Sequence, residues 1–174
     1  MKLSQASILF CPIMPTYREA TNSDISAICV LGQVVNLLHH EAWPQIFSPA
    51  SDPQRDALYW SKSIDTENST TFVAEKAGEI VGFVSVSVTA ENLSLLQPMC
   101  FARVGSVCVA EAFRGQGIGR ELMAQVELWA AANGAADVRL SVWAFNQPAL
   151  RLYEELGYEV RSLNLGKELS QTEL

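Results

Sequence analysis

Apolar residues recur at two periods along this chain, and the switches between them mark out its elements. Ile25, Ile28, Leu31, Val35 and Leu38 fall at helical spacing. They predict a helix from near Asp24 to near His39-His40, with Thr21 or Ser23 as its cap. Pro44, Pro49 and Pro53 then break the chain into a loop, and a second helix is expected over 54–61. Period two follows. Residues 71–75 read as a strand, Ala77-Gly78 as a turn and 80–89 as the returning strand. Val84, Val86 and Val88 lie on one face of that strand, and Ser85, Ser87 and Thr89 on the other. Residues 99–109 make a further strand. Helical spacing returns at Ile118, Leu122, Val126 and Trp129, predicting a helix over 117–133 that Gly134 stops. Residues 138–143, apolar at 138, 140 and 142, read as a strand. Asn146 caps a last helix, with Pro148 in its first turn and Gly157 at its end. A short strand at 17–20 opens the series, and 158–169 are expected to supply the last one or two strands. The order predicts an α/β fold with a mixed sheet.

Composition narrows the function classes. A length of 174 residues with 49% hydrophobic and 18% charged residues predicts one domain with a sizeable core. The domain is expected to span 1–174, its core about 15–169. The net charge is −7 and the pI about 4.8. Twelve Lys and Arg residues spread along the chain supply no basic surface for nucleic acid. An acidic protein instead favours a cationic acceptor such as an amine.

Cys11, Cys29, Cys100 and Cys108 form no C-x-x-C pair and read as buried, reduced thiols of a cytosolic protein. Lys2 and Ile8-Leu9-Phe10 mimic a short signal core, but Pro12 and Pro15 interrupt it and no small-residue cleavage site follows. No apolar run is long enough to span a bilayer. A soluble, cytoplasmic protein without membrane contact is expected. His39 and His40 lack a third ligand at a recognisable spacing, so no metal is expected.

The segment from Val107 through Arg114-Gly115-Gln116-Gly117-Ile118-Gly119 runs strand, loop, helix. Glycines remove Cβ atoms where backbone must approach a ligand or adopt positive φ. The first-turn N–H groups and the dipole of the following helix suit a pyrophosphate. A P-loop would need a Gly-Lys pair, and none follows. A dinucleotide fingerprint would need glycine where Arg120 stands, and Asp137 opens a strand instead of closing one. The pattern [QR]-x-x-G-x-[GA] is satisfied by Arg114, Gly117 and Gly119. Val107 and Val109 precede it as Val-x-Val. Asn146, Ala149 and the run Leu152-Tyr153-Glu154-Glu155-Leu156-Gly157-Tyr158 follow.

These two motifs, in this element order, resemble the GCN5-related N-acetyltransferase (GNAT) superfamily, clearly so from 71 to 169. The resemblance implies a single-domain, mostly antiparallel mixed sheet flanked by helices. It also implies an acetyl-CoA-dependent N-acetyltransferase acting on a primary amine of a small molecule or protein. The cofactor would be held by Val107, Cys108, Val109, Arg114, Gly115, Gln116, Gly117, Ile118, Gly119, Arg120 and Asn146. A backbone N–H of the strand around 107–109, where the sheet splays open, would polarise the thioester carbonyl. Tyr153 would face the sulfur as a proton or hydrogen-bond donor.

The base is open: Ser141 stands near the position where some relatives carry a glutamate, a departure that argues against a direct base on that strand, and His39, His40, Glu41 and Glu91 are the candidates. Trp43, Phe47 and Trp60 would line an acceptor pocket or pack the N-terminal helices. A homodimer is expected through Leu163, Leu165 and Leu169. A non-catalytic acyl-CoA-binding regulatory module is the alternative reading.

Overall fold

The computed structural model describes residues 13–49, 53–64, 66–92, 94–95 and 97–168; Cys11 and Leu169 lie outside them. The chain divides into two compact units, one ending at Ser141 and one beginning at Val142.

The first unit runs β1 (Thr16–Glu19), α1 (Ile25–Ala42), α2 (Pro53–Ser61), β2 (Ser69–Lys76), β3 (Glu79–Glu91), β4 (Met99–Val109), α3 (Ile118–Ala132) and β5 (Val138–Arg139). The strands form one sheet in the order β1-β2-β3-β4-β5. Neighbours from β1 to β4 are antiparallel, and β5 is parallel to β4. The expected α/β, mostly antiparallel architecture is therefore present.

Local chemistry accounts for the joints. Ala77 and Gly78 both take positive φ, 54° and 83°, a pairing whose twist matches the flanking strands of a hairpin. Helix α3 ends in a double closure: Ala135 N–H donates to Ala130 O at 3.0 Å and Gly134 N–H to Ala131 O at 3.2 Å. Gly134 supplies the left-handed residue at φ 77° that this closure needs.

Both faces of β3 are covered. Phe83 shares one buried cluster with Ile28 and Leu31 of α1, Trp60 of α2 and Cys108 of β4. Trp60 meets Phe83 edge-on at 5.0 Å, and a Cβ at Gly32 would lie 3.2 Å from the Trp60 ring. Trp60 thus packs α1, α2 and β3 together. On the other face, Gly82 gives α3 its close approach: a Cβ there would lie 3.3 Å from Leu122 Cδ1 and 3.4 Å from Ile118 Cγ2. Ser85, on the side of β3 that reads as polar, is accordingly buried.

An ionic corner joins β1, β2 and the entry to α1. The Arg18 guanidinium makes a two-pronged contact with Asp24 at 2.8 and 3.0 Å and reaches Glu75 Oε2 at 2.9 Å. Thr21 N–H donates to Asp24 Oδ2 at 2.8 Å. The Arg18 hydrogen bonds, aided by Thr21, lower the buried Asp24 carboxyl to about 2. Because the folded-state value is depressed, the stabilisation is complete above the ordinary value near 4. It is lost as pH falls from there through about 2. Asp24→Asn is expected to remove about 2 kcal/mol at neutral pH and to flatten the acid limb of a urea-denaturation series between roughly pH 4 and 2. A parallel acid limb in the variant would refute the assignment.

Two expected strands differ. The strand expected over 138–143 is only Val138–Arg139. Its ladder covers Ala102 and Arg103 of β4 and stops there, so the alternation through Leu140 and Val142 finds no partner strand. Residues 158–168 form no strand. Val160, Leu163 and Leu165 stand 71%, 78% and 88% exposed. Strand propensity alone does not make a strand where no neighbouring edge receives it.

The second unit is built on α4 (Gln147–Glu155). Asn146 caps it as expected, its Oδ1 accepting from Ala149 N–H at 3.3 Å. The run Tyr153 to Tyr158 is its terminator. Tyr158 N–H donates to Tyr153 O at 2.9 Å and Gly157 N–H to Glu154 O at 3.0 Å, with Gly157 at φ 87°. The Tyr153 and Tyr158 rings meet at 5.8 Å, the apolar contact that completes such a cap. The Leu-Gly-Tyr part of the motif is thus a helix stop that also fixes the backbone of Tyr153.

Candidate active site

Strand β4 delivers the chain to the loop. Ala110 N–H closes the ladder on Val81 O at 2.9 Å, and a single turn over Glu111–Phe113 leads to Arg114. Gly115 and Gly117 take φ 72° and 83°, and Gly117 is the residue from which α3 starts. A Cβ at either position would meet nothing within 4 Å. These glycines serve the backbone path and leave the space above the loop open; they are not there for tight packing. The first bond within α3 is Glu121 N–H to Gly117 O at 3.1 Å. The N–H groups of Ile118, Gly119 and Arg120 therefore lie ahead of it, pointing out of the helix start. The Ile118 side chain is buried beneath and anchors that first turn.

Three side chains brace the loop. Arg114 Nε donates to Val109 O at 3.1 Å, and Gln116 Nε2 to Ala112 O at 3.2 Å. Lys76, from the end of β2, donates to Gln116 Oε1 at 3.2 Å and stands over the Phe113 ring at 5.3 Å. It adds a positive charge to the loop that no sequence motif announces, because it lies 40 residues upstream. Open backbone at positive φ, a helix N-terminus and flanking cations suit a pyrophosphate.

The three β4 positions part company. Cys108 turns into the core, its Sγ donating to Leu31 O at 3.3 Å. Burial pushes its thiol up to about 11, so it is protonated and inert at neutral pH. Ala110 N–H points to β3, and an antiparallel ladder alternates. The N–H groups of Val107 and Val109 therefore point the other way, to the edge beyond the short β4–β5 ladder.

His39 Nδ1 lies 2.6 Å from Val35 O and His40 Nδ1 2.7 Å from Phe47 O. A carbonyl only accepts, so each Nδ1 carries a proton. The Phe47 ring packs against His39 at 4.9 Å. In the second unit, Tyr153 is half-buried, and burial raises its hydroxyl above the usual range, so it holds its proton at neutral pH. Among the described residues, no group of three or more His, Cys, Asp or Glu is arranged to hold a metal ion. No helix among them is long and apolar enough to cross a membrane.

A glycine loop that opens onto a helix start at the end of a mostly antiparallel sheet is the arrangement an anionic ligand would need. The model of the acetyltransferase (GNAT) family matches residues 35–158. An uncharacterized N-acetyltransferase of Bacillus subtilis, YhfO, is 27% identical over 142 residues, covering 82% of this chain and 88% of that protein. Streptothricin acetyltransferase of Streptomyces lavendulae is 37% identical over 92 residues, 52% of this chain and 45% of that one. A solved structure of an aminoglycoside N-acetyltransferase in complex with CoA superposes with a TM-score of 0.70 at 15% identity. It covers 93% of this chain and 99% of the other. This chain belongs to the GNAT family and is an acetyl-CoA-dependent acyltransferase.

Proposed function

We propose that this chain transfers an acetyl group from acetyl-CoA to a primary amine of a small molecule or protein. The observation that carries the reading is the loop of Arg114 to Gly119 opening onto the start of α3. The named activities of the streptothricin and aminoglycoside enzymes support a small-molecule amine. Bound acetyl-CoA supplies an activated thioester. The loop and Lys76 would hold its phosphates, and one N–H of the Val107–Val109 edge would receive the carbonyl oxygen as it gains charge. Tyr153 Oη would supply a hydrogen bond or a proton to the leaving thiolate. The acceptor amine must lose its own proton, since an alkylamine has a pKa of about 10.4. The candidates for that base are His39, His40, Glu41 and Glu91.

The test is free-CoA release with acetyl-CoA across polyamines, aminoglycosides, amino acids and peptide N-termini. Release that depends on one amine class is expected. Tight CoA binding with no release by any amine would turn the reading into the regulatory binding module. Three described cysteines, Cys29, Cys100 and Cys108, are unbridged, which supports a reducing, cytoplasmic setting. We also propose a homodimer, supported by the exposed Val160, Leu163 and Leu165. Light scattering at micromolar concentration should give twice the 19.1 kDa chain mass, and a monomer alone would refute it.

A further inference from the structure

The β3–β4 ladder contains one irregularity. Val84 pairs with Val107 and Val86 with Val104. Ser85 alone therefore faces two residues, Gly105 and Ser106, and β4 carries a bulge there. The bulge decides which backbone groups reach the open edge. Before it, even-numbered residues face β5: Ala102 N–H donates to Asp137 O, and Cys100 O accepts from Ala136 N–H, both at 2.8 Å. After it, Ala110 N–H faces β3, so odd-numbered Val107 and Val109 face the edge. A regular ladder in the upstream register would bring Ser106 and Cys108 to that edge and turn Val107 and Val109 inward.

One side chain holds the irregularity. Ser106 N–H donates to Ser85 Oγ at 3.1 Å, and Ser85 is only 7% exposed. The extra residue of a bulge leaves ladder groups unmatched, and this hydroxyl takes one of them. Gly105 is glycine for the same reason. Its φ is not in the left-handed region, yet a Cβ there would lie 2.8 Å from Ser85 Oγ, too close for both to remain. A side chain at 105 would displace the hydroxyl and break the Ser106 bond.

We infer that Ser85 is a positioning residue for acyl transfer: its hydroxyl holds the Gly105-Ser106 bulge that turns the Val107 and Val109 N–H groups to the open edge, where one of them meets the thioester carbonyl. The inference rests on the acetyl-transfer reading above. Ser85 touches no substrate. It acts through β4, so its loss should lower kcat and leave acetyl-CoA affinity alone, because the phosphates are held elsewhere.

The experiment compares Ser85→Ala, Ser85→Thr, Gly105→Ala and the Ser85→Ala/Gly105→Ala pair. Turnover is read by CoA release with an accepted amine, or by slow acetyl-CoA hydrolysis. Loss of a whole oxyanion donor costs roughly 10²–10³ in kcat, and misaiming one should cost about tenfold or more. Ser85→Ala is expected to show that loss with KM for acetyl-CoA within about twofold. Ser85→Thr, which keeps the hydroxyl, should recover most of it. Gly105→Ala should fail like Ser85→Ala. The pair should do no better than Ser85→Ala although its clash is gone, which separates the hydrogen bond from packing.

In the wild-type protein, the Ser106 amide should exchange slowly with solvent. The Val107 and Val109 amide resonances should differ between acetyl-CoA and CoA complexes. Wild-type kcat in Ser85→Ala, or a Ser106 amide that exchanges as an unbonded one, would overturn the inference, the second even if the alanine variant fails to fold. A wild-type chain that does not bind acetyl-CoA would overturn the functional reading instead, and the Ser106 amide would still report the Ser85 bond.

Discussion

Gly117→Glu is expected to abolish the stabilisation of this protein by acetyl-CoA. In the wild type, ligand at a hundred times its dissociation constant should add about 2.7 kcal/mol to folding stability. Gly117 sits at φ 83° where α3 begins, with nothing within 4 Å of a Cβ placed there. A glutamate therefore fits in space, and it projects a carboxylate over the N–H groups that would hold the phosphates. Like charge then opposes the ligand where the helix dipole had favoured it. The left-handed backbone adds a strain of about 1–2 kcal/mol to the ligand-free variant. That strain lowers Tm with and without ligand, so the quantity to measure is the ligand-induced increment in Tm. An increment equal to the wild type's would show that the pyrophosphate binds elsewhere.

Tyr153→Phe is expected to lower turnover by about tenfold to several hundredfold, within the range of general acid–base groups, while acetyl-CoA affinity stays near wild type. The substitution removes one oxygen. The ring contact with Tyr158 at 5.8 Å and the backbone bond from Tyr158 N–H remain, so the end of α4 should keep its shape. What disappears is a hydrogen bond that strengthens as charge develops on sulfur, and such an interaction appears in kcat more than in ground-state binding. The proton is available, because burial raises the hydroxyl pKa. The same shift makes Tyr153 a weaker acid against a thiol near 8.5, which favours a hydrogen-bonding donor over a complete proton transfer. Steady-state kinetics beside a CoA-binding titration separate the outcomes. Full turnover in the Phe variant would reduce Tyr153 to a packing residue. A large loss of CoA affinity would make it part of the cofactor site.

What the sequence disclosed was what local chemistry determines. The Ala77-Gly78 turn, the Asn146 cap, the stops at Gly134 and Gly157 and the glycine loop are each written within a few neighbouring residues. The pairing of distant segments is not. The alternation through Leu140 and Val142, and the apolar residues at 160, 163 and 165, have strand character but no ladder. A ladder depends on an edge elsewhere, and edges are not visible in a local pattern. Lys76 and Ser85 were missed for the same reason. Lys76 reaches Gln116 only because a hairpin returns it to the loop, and Ser85 meets Ser106 only through the β3–β4 register. One local signal was present for the second: a glycine in the interior of a strand, a frequent mark of a bulge. Trp60, offered as a pocket residue or as packing, is packing.

The closure at the end of α3 also bears on how the protein ages. Asn133-Gly134 is the dipeptide most prone to lose its side-chain amide, because the following backbone nitrogen attacks the asparagine carboxamide and glycine leaves the path clear. Here both reacting groups are engaged. Asn133 Nδ2 donates to Trp129 O at 2.8 Å, and Gly134 N–H donates to Ala131 O at 3.2 Å. Cyclisation to the succinimide requires both bonds to break and the helix end to unwind. Stored protein should therefore gain negative charge at Asn133 slowly while folded and quickly once unfolded, making deamidation there a chemical record of how long a sample has spent with α3 frayed.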